Sequence, residues 1–362
     1  MNLRLLKALP FVALISLVLF ADNFAQSLLS EVRVSPQASV TQHVGLATVE
    51  INYSRPGVKG REIWGKLVPY DLAGEKTFIE EKPMPWRAGA DENTTITLSH
   101  DAKINGSPLA AGTYGMHMVV SKDEWTIIFS KDNQAWGSYF YNDAHDVLRI
   151  KAKPEEAPFQ EWMVFGFDKL TSASCEAFLQ WEKIKVPFNI EFDKNKIVVD
   201  TYTEELTGEA GFYSNSWRDA AQYCLDNNVS LDLALVWVEN AYKAARPEKF
   251  SIDVLKAGLL KATGKEYEGN KLLNASLESA SEEDLTGYGR RLLGANNLDD
   301  VIKVMETTIK KYPESWRAYY YCGVAYEGKG DKDNAKTNYK KAIELAPEGV
   351  KARIETRLTE LD

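Results

Sequence analysis

Two short clusters carry the residue types that could do chemistry. The first is Trp86-Arg87-Ala88-Gly89-Ala90-Asp91-Glu92-Asn93, which runs into the strand-like Thr94-Thr95-Ile96-Thr97-Leu98. The second, upstream, is Arg55-Pro56-Gly57-Val58-Lys59-Gly60-Arg61. Arg55, Lys59, Arg61 and Arg87 are cations in glycine-rich connections, where backbone can approach a ligand closely. A guanidinium fork suits a carboxylate or a phosphate. Three readings stand for these residues together with Trp86, Asp91 and Glu92. Asp91 and Glu92 neutralise the cations in a network that pins the loops, with Trp64 and Trp86 plugging the core. Alternatively, the cluster binds an anionic or sugar-like ligand. In the third reading, Glu92 is a general acid or base beside Arg87 in a cleft.

Other reactive residue types lack a pattern. His43, His100, His117 and His145 are scattered without metal-ligand spacing, so neither a metal nor any other cofactor is expected. His117, between Met116 and Met118, reads as a satisfied sheet histidine. Asp143, His145 and Asp146 read as a polar loop. Cys175, Cys224 and Cys322 are odd in number, far apart and at apolar-pattern positions, which predicts buried free thiols rather than a disulfide framework. No GxSxG elbow, HExxH helix or phosphate-binding glycine loop occurs.

The elements that must hold the clusters have period two. Trp125, Ile127 and Phe129 alternate with polar positions, as do Leu148, Ile150 and Ala152, and Cys175, Ala177, Leu179 and Trp181. Asn105-Gly106 between Ile104 and Leu109 predicts a tight hairpin. Residues 162–167 are apolar on both faces and predict a central strand, and 190–199 a last hairpin turning at 193–195. Many short strands separated by turns, without a long interrupting helix, predict an antiparallel β-sandwich.

The ordered set Arg55-Pro56, Lys59-Gly60-Arg61, Gly65, Val68-Pro69-Tyr70, Trp86-Arg87-Ala88-Gly89-Ala90, Ile104-Asn105-Gly106, Ala111-Gly112-Thr113-Tyr114, Trp125-Thr126-Ile127-Ile128 and Trp181 resembles the DUF2911 family. That resemblance spans about residues 30–190. It implies an exported protein of the kind found mostly in Bacteroidetes, and it supplies no mechanism. The family commonly has Asn after the Gly-Ala pair, where this chain has Asp91.

After Gly211 the apolar spacing becomes helical. Two segments match at an offset of 34 residues: Gly289 with Gly323, Leu292 with Tyr326, Val301 with Ala335, Met305 with Tyr339, and Pro313 with Pro347. These positions resemble the tetratricopeptide repeat. Weaker pairs at 217–225 with 231–245, and at 250–262 with 267–279, make about four stacked hairpins, and 350–361 predicts a capping helix. Such stacks offer a concave surface to peptides or proteins. Arg317, Tyr320 and Asn338 are the candidate contact residues, and Tyr319 is expected to pack between helices. The stack could equally brace the sandwich without an outside partner.

The 362 residues, 44% hydrophobic and 26% charged, are enough for two cored domains. Arg4 and Lys7 precede an apolar run over residues 8–20, and Ala25 offers a cleavage position, the pattern of a secretory leader. Its removal takes away Arg4, Lys7 and Asp22 and moves the net charge from −9 to −10. That charge argues against nucleic acid as a partner. No later stretch is long and apolar enough to cross a bilayer.

The expected organisation is a leader at 1–25, an all-β sandwich at 26–205 and an all-α repeat domain at 206–362. The leading functional reading is an exported, non-enzymatic binding protein of the periplasm or cell envelope. Its rivals are an envelope hydrolase acting on glycans or peptides through Glu92 and Arg87, and a carrier of a small anion.

Overall fold

A computed structural model describes residues 32–361, so the expected leader lies outside the described residues. Ten strands form two antiparallel sheets. The larger holds β1 (Gln37–Val44), β2 (Ala47–Ser54), β3 (Thr94–Leu98), β6 (Gly112–Val119), β7 (Trp125–Ser130) and β8 (Asp146–Ala152), in the order β1-β2-β3-β6-β7-β8. The smaller holds β4 (Ala102–Ile104), β5 (Ser107–Leu109), β9 (Glu155–Asp168) and β10 (Ser174–Phe192), in the order β5-β4-β10-β9.

The alternating residues face inward as their spacing requires. Ile51, Ile96, Ile127 and Phe129 meet Cys175, Ala177, Leu179 and Trp181 in one buried core. Asn105 and Gly106 both take positive φ, 46° and 81°, the geometry of a two-residue hairpin turn, and join β4 to β5.

Two strand expectations fail. Residues 162–167 belong to β9, which lies at the edge of the smaller sheet rather than at its centre. Its apolar outer positions mislead because a loop covers that edge: Met163 N–H donates to Pro56 O at 3.1 Å, and Val58 N–H to Glu161 O at 2.8 Å. The hairpin at 190–199 does not form either. The sheet ends at Phe192, and helix α1 (Lys194–Glu205) begins behind Asp193, whose side chain accepts from Lys196 N at 3.0 Å. An apolar run as short as 197–199 fits a strand or a helix equally well. On the helix, Ile197 joins the sandwich core and Val199 joins the next cluster along the chain.

Four helical hairpins follow: α2 (Ser214–Asn227) with α3 (Leu231–Lys243), α4 (Lys249–Ala262) with α5 (Glu266–Ser279), α6 (Glu282–Gly294) with α7 (Leu298–Lys311), and α8 (Trp316–Gly328) with α9 (Lys332–Leu345). The last helix, α10 (Glu348–Thr359), closes the stack by burying Ile354 against the α9 residues Ala335, Tyr339 and Ala342.

The 34-residue offset is physical. A Cβ at Gly323 would lie 2.7 Å from the Tyr339 ring, and one at Gly289 would lie 2.3 Å from Met305 Cε. Each glycine lets the second helix of its own hairpin approach. Asp253 is buried between the hydroxyl groups of Tyr242 and Ser276 and ties three successive helices together.

All three cysteines are buried and free, as their apolar-pattern positions predict. Burial pushes the Cys175 thiol up to about 11 and that of Cys322 to about 12. Among the described residues, no helix is long and apolar enough to cross a membrane.

Candidate functional site

The two polar clusters are fastened to opposite sheets. The 55–61 segment leaves β2 and bonds to the edge of β9 as described above. Its arginines bond to backbone: Arg55 Nε donates to Met163 O at 2.9 Å, and Arg61 Nη2 to Gly57 O within its own loop at 2.6 Å. The 86–93 segment pairs with β6 through Trp86 N to Met118 O at 2.9 Å and Met118 N to Trp86 O at 2.8 Å. Ala88 and Asp91 then take left-handed φ values of 53° and 58°, and Thr94 Oγ1 donates to Ala88 O at 2.9 Å. Left-handed backbone at a buried alanine is costly, and such strain gathers where a site is held in place.

The floor between the segments is aromatic. The Trp86 and Trp181 rings stack at 6.0 Å, and Trp64 meets Trp86, Trp125 and Trp181 edge-on at 5.0–5.9 Å. Trp86 Nε1 donates to Gly89 O, whereas the buried Nε1 atoms of Trp64 and Trp181 have no acceptor.

Above this floor opens a cavity of about 680 Å³. Of the seven sequence candidates, Lys59, Arg61, Trp86, Arg87 and Asp91 line it, and Arg55 and Glu92 do not. Lys66 adds a fourth cation and Glu75 a second carboxylate, which leaves the lining with two more positive than negative side chains. Arg87 stacks its guanidinium on the Tyr139 ring at 4.8 Å and donates Nη1 to Asp91 O at 2.7 Å. It is backed by Gly137, φ 63°, where a Cβ would lie 2.2 Å from Arg87 Cζ. Lys59 Nζ lies 5.3 Å from the Trp162 ring. Among the described residues, no carboxylate comes within ion-pair distance of Arg55, Lys59, Arg61 or Arg87.

The expected arginine–carboxylate network is therefore a set of arginine–carbonyl and arginine–aromatic contacts. Glu92 has another partner: it takes a two-pronged bond from Arg33 at 2.5 and 2.6 Å. It lies in a separate depression with Gln37, Asn52 and Asn93. The bond from Arg33 holds its carboxyl below the usual range. It is thus an engaged carboxylate rather than a proton donor facing Arg87.

Sequence reasoning passed over Ser138 and Tyr139, which also line the cavity. They sit in an irregular loop after β7 with no periodic signal, and only contact with Arg87 and His117 marks them. His117 is buried, its Nδ1 2.8 Å from Ser138 Oγ, and its Nε2 has no partner. Burial lowers its pKa to about 4, Asp132 opposes the shift and Arg87 adds to it, so the ring is neutral. His145 pairs with Asp132, and Asp146 with Tyr141 and Arg149, as a loop network. No group of three His, Cys, Asp or Glu residues among those described could hold a metal.

In the helical tail the three candidate contact residues share no hydrogen bond or ring contact. Arg317 is exposed and stacks on Trp316 at 4.9 Å. Asn338 Nδ2 donates to Asn334 O within its own helix. Tyr320 is half-buried under α10, with the Arg353 guanidinium over its ring at 5.6 Å and its hydroxyl accepting from Arg357. Tyr319 packs into the same cluster, as expected.

Fold and site together define a two-sheet sandwich with a cationic cavity, carrying a tail of helical hairpins. Residues 35–190 match the model of the family described as a protein of unknown function, DUF2911, and residues 316–348 match the tetratricopeptide repeat. No curated protein matches the chain. Solved structures similar to it include the MamA structure "MamA MSR-1 C2" (18% identity over 41% of this chain and 84% of that one, TM-score 0.25). Others are YrrB, titled a TPR protein with an unusual peptide-binding site (18%, 46% and 85%, TM-score 0.26), and PilF of Pseudomonas aeruginosa (14%, 41% and 67%, TM-score 0.26).

Proposed function

We propose that the protein is an exported, non-enzymatic binding protein of the periplasm or cell envelope, whose sandwich holds a small anionic ligand and whose repeats dock a protein or peptide. The observation that carries the ligand reading is the cavity itself. Lys59, Arg61 and Arg87 line it without a carboxylate partner, in a chain whose net charge is −9. Their unused N–H groups call for acceptors that a ligand would bring. Export rests on the leader-like residues 1–25, and docking on the repeat match at 316–348. The hydrolase reading loses its acid–base pair because Glu92 is bound to Arg33 outside the cavity.

Tryptophan fluorescence of the full chain, titrated with phosphate, citrate and 2-naphthoate, tests the cavity. At least one anion is expected to give a saturable change that Arg61→Ala and Arg87→Ala weaken about tenfold or more, roughly 1.4 kcal/mol. A flat response to all three would overturn the reading. For the repeats, a partner recovered from envelope extract by the full chain should be lost from Arg317→Glu. Retention would move docking off α8.

A further inference from the structure

Charge alone does not describe this cavity. Beside its cations the lining holds the partly exposed apolar residues Leu67, Pro69, Leu72 and Met84, backed by the buried Val68 and Met118. The floor is the stacked Trp86–Trp181 pair. A site for inorganic phosphate or a small hydroxy acid would surround its ligand with donors on all sides. Here a bare anion would leave Leu67, Leu72 and the accessible parts of Pro69, Met84 and Trp86 facing water.

The rim continues the apolar character. Leu67 and Leu72 line the mouth and are exposed, at 44% and 38%. At the lining residue Tyr139, the loop carrying Phe78 bonds to Tyr139 O through Phe78 N–H at 2.7 Å, and the exposed Phe78 and Phe140 rings meet at 5.9 Å. Tyr139 therefore has two roles: its ring supports Arg87 inside the cavity, and its carbonyl anchors the apolar loop outside it.

Resting on the anion-binding reading above, we propose that the ligand is an amphiphilic carboxylate, an aromatic or acyl body bearing one acidic group. The carboxylate lies between Arg61 and Arg87, whose planar forks match its two oxygens. The body lies on Trp86, Leu67 and Leu72, burying their accessible apolar area at about 25 cal/mol per Å². A cavity of about 680 Å³ falls within the range of about 300–1,000 Å³ usual for small-molecule sites. Leu67, Leu72 and the Phe78–Phe140 pair form an apolar approach to the mouth.

The test compares four probes on the full-length chain by tryptophan fluorescence, with calorimetry as a second readout. These are 2-naphthoate, decanoate, 2-naphthalenemethanol, which lacks the charge, and citrate, which lacks the apolar body. The expected result is that 2-naphthoate or decanoate binds at least about tenfold more tightly than either of the other two. Leu72→Asp should weaken that probe while leaving the melting temperature in place, since Leu72 is exposed and belongs to no core cluster. Citrate binding as tightly as both amphiphiles would overturn the amphiphile and leave the anion site standing. 2-Naphthalenemethanol binding as tightly as 2-naphthoate would overturn both.

Discussion

The sandwich and the helical tail solve the burial of polar groups in opposite ways. In the tail, polar partners are near neighbours in sequence: Tyr242 with Asp253, Tyr339 with Glu327, and Thr308 with the Val304 carbonyl. Each hairpin repeats a local rule, and stacking extends it. In the sandwich the decisive partners are distant. Arg55 reaches Met163, Gly57 bridges to Trp162, and Trp86 stacks on Trp181. A cavity arises where those long-range contacts converge, because irregular backbone there cannot fill the space between the sheets. The tail is built for extension and the sandwich for enclosure.

That contrast predicts different responses to core damage. Trp181→Ala removes the ring that joins the aromatic floor to the sandwich core and should cost about 3–5 kcal/mol. Near-ultraviolet circular dichroism should lose its tryptophan signal while helical content, read at 222 nm, persists. Tyr339→Ala should cost about as much, but the loss should be confined to α8–α10. Loss of both signals together in either variant would mean that the two regions unfold as one and would break the comparison.

Acid should act on the sandwich first. His117 stays neutral in the fold down to about pH 4, whereas in the unfolded chain it takes up a proton near its ordinary 6.5. Stability is therefore full above about pH 6.5 and falls as pH drops toward 4, by about 3 kcal/mol from this group. Denaturant midpoints at pH 7 and pH 4 should show that excess loss in the native chain and not in His117→Phe. Equal loss in both would assign acid sensitivity elsewhere.

Within the tail, one repeat position should give two outcomes. Gly323→Ala pushes a methyl against the buried Tyr339 ring and should cost about 1–3 kcal/mol. Gly289→Ala meets only the flexible end of Met305, and the helix propensity it gains, about 1 kcal/mol, should leave it near neutral. Thermal unfolding at 222 nm separates them. Smallest in effect, native-state thiol labelling should modify Cys322, in a stack of hairpins expected to open locally, before Cys175, in the sandwich core. The reverse order would contradict the account of how the two regions hold together.

The same contrast explains what could be read from the chain alone. The four hairpins were legible because helix spacing, Gly323 and the 34-residue offset are local signals. The strands around Trp125, Leu148 and Cys175 were legible through their alternation. β9 was misplaced because its covering partner, 56–58, lies more than a hundred positions away, and 197–199 was misassigned because a short apolar run has no period of its own. The site was half legible. Lys59, Arg61, Trp86, Arg87 and Asp91 meet as a shared surface, yet nothing in their spacing separates Glu92, which turns away to Arg33, from Asp91, which stays. Ser138 and Tyr139 were invisible because their role comes from the side chains they touch.

The central claim is that the cations of two distant loops meet to hold a ligand rather than to hold the fold. The most direct measurement is the affinity for 2-naphthoate and the melting temperature, taken together, of Arg61→Ala and Arg87→Ala. The account predicts affinity weakened about tenfold or more with melting shifted by only a few degrees. Melting that collapses in variants whose remaining folded fraction binds as tightly as before would contradict it, and would make these arginines pins of the loops.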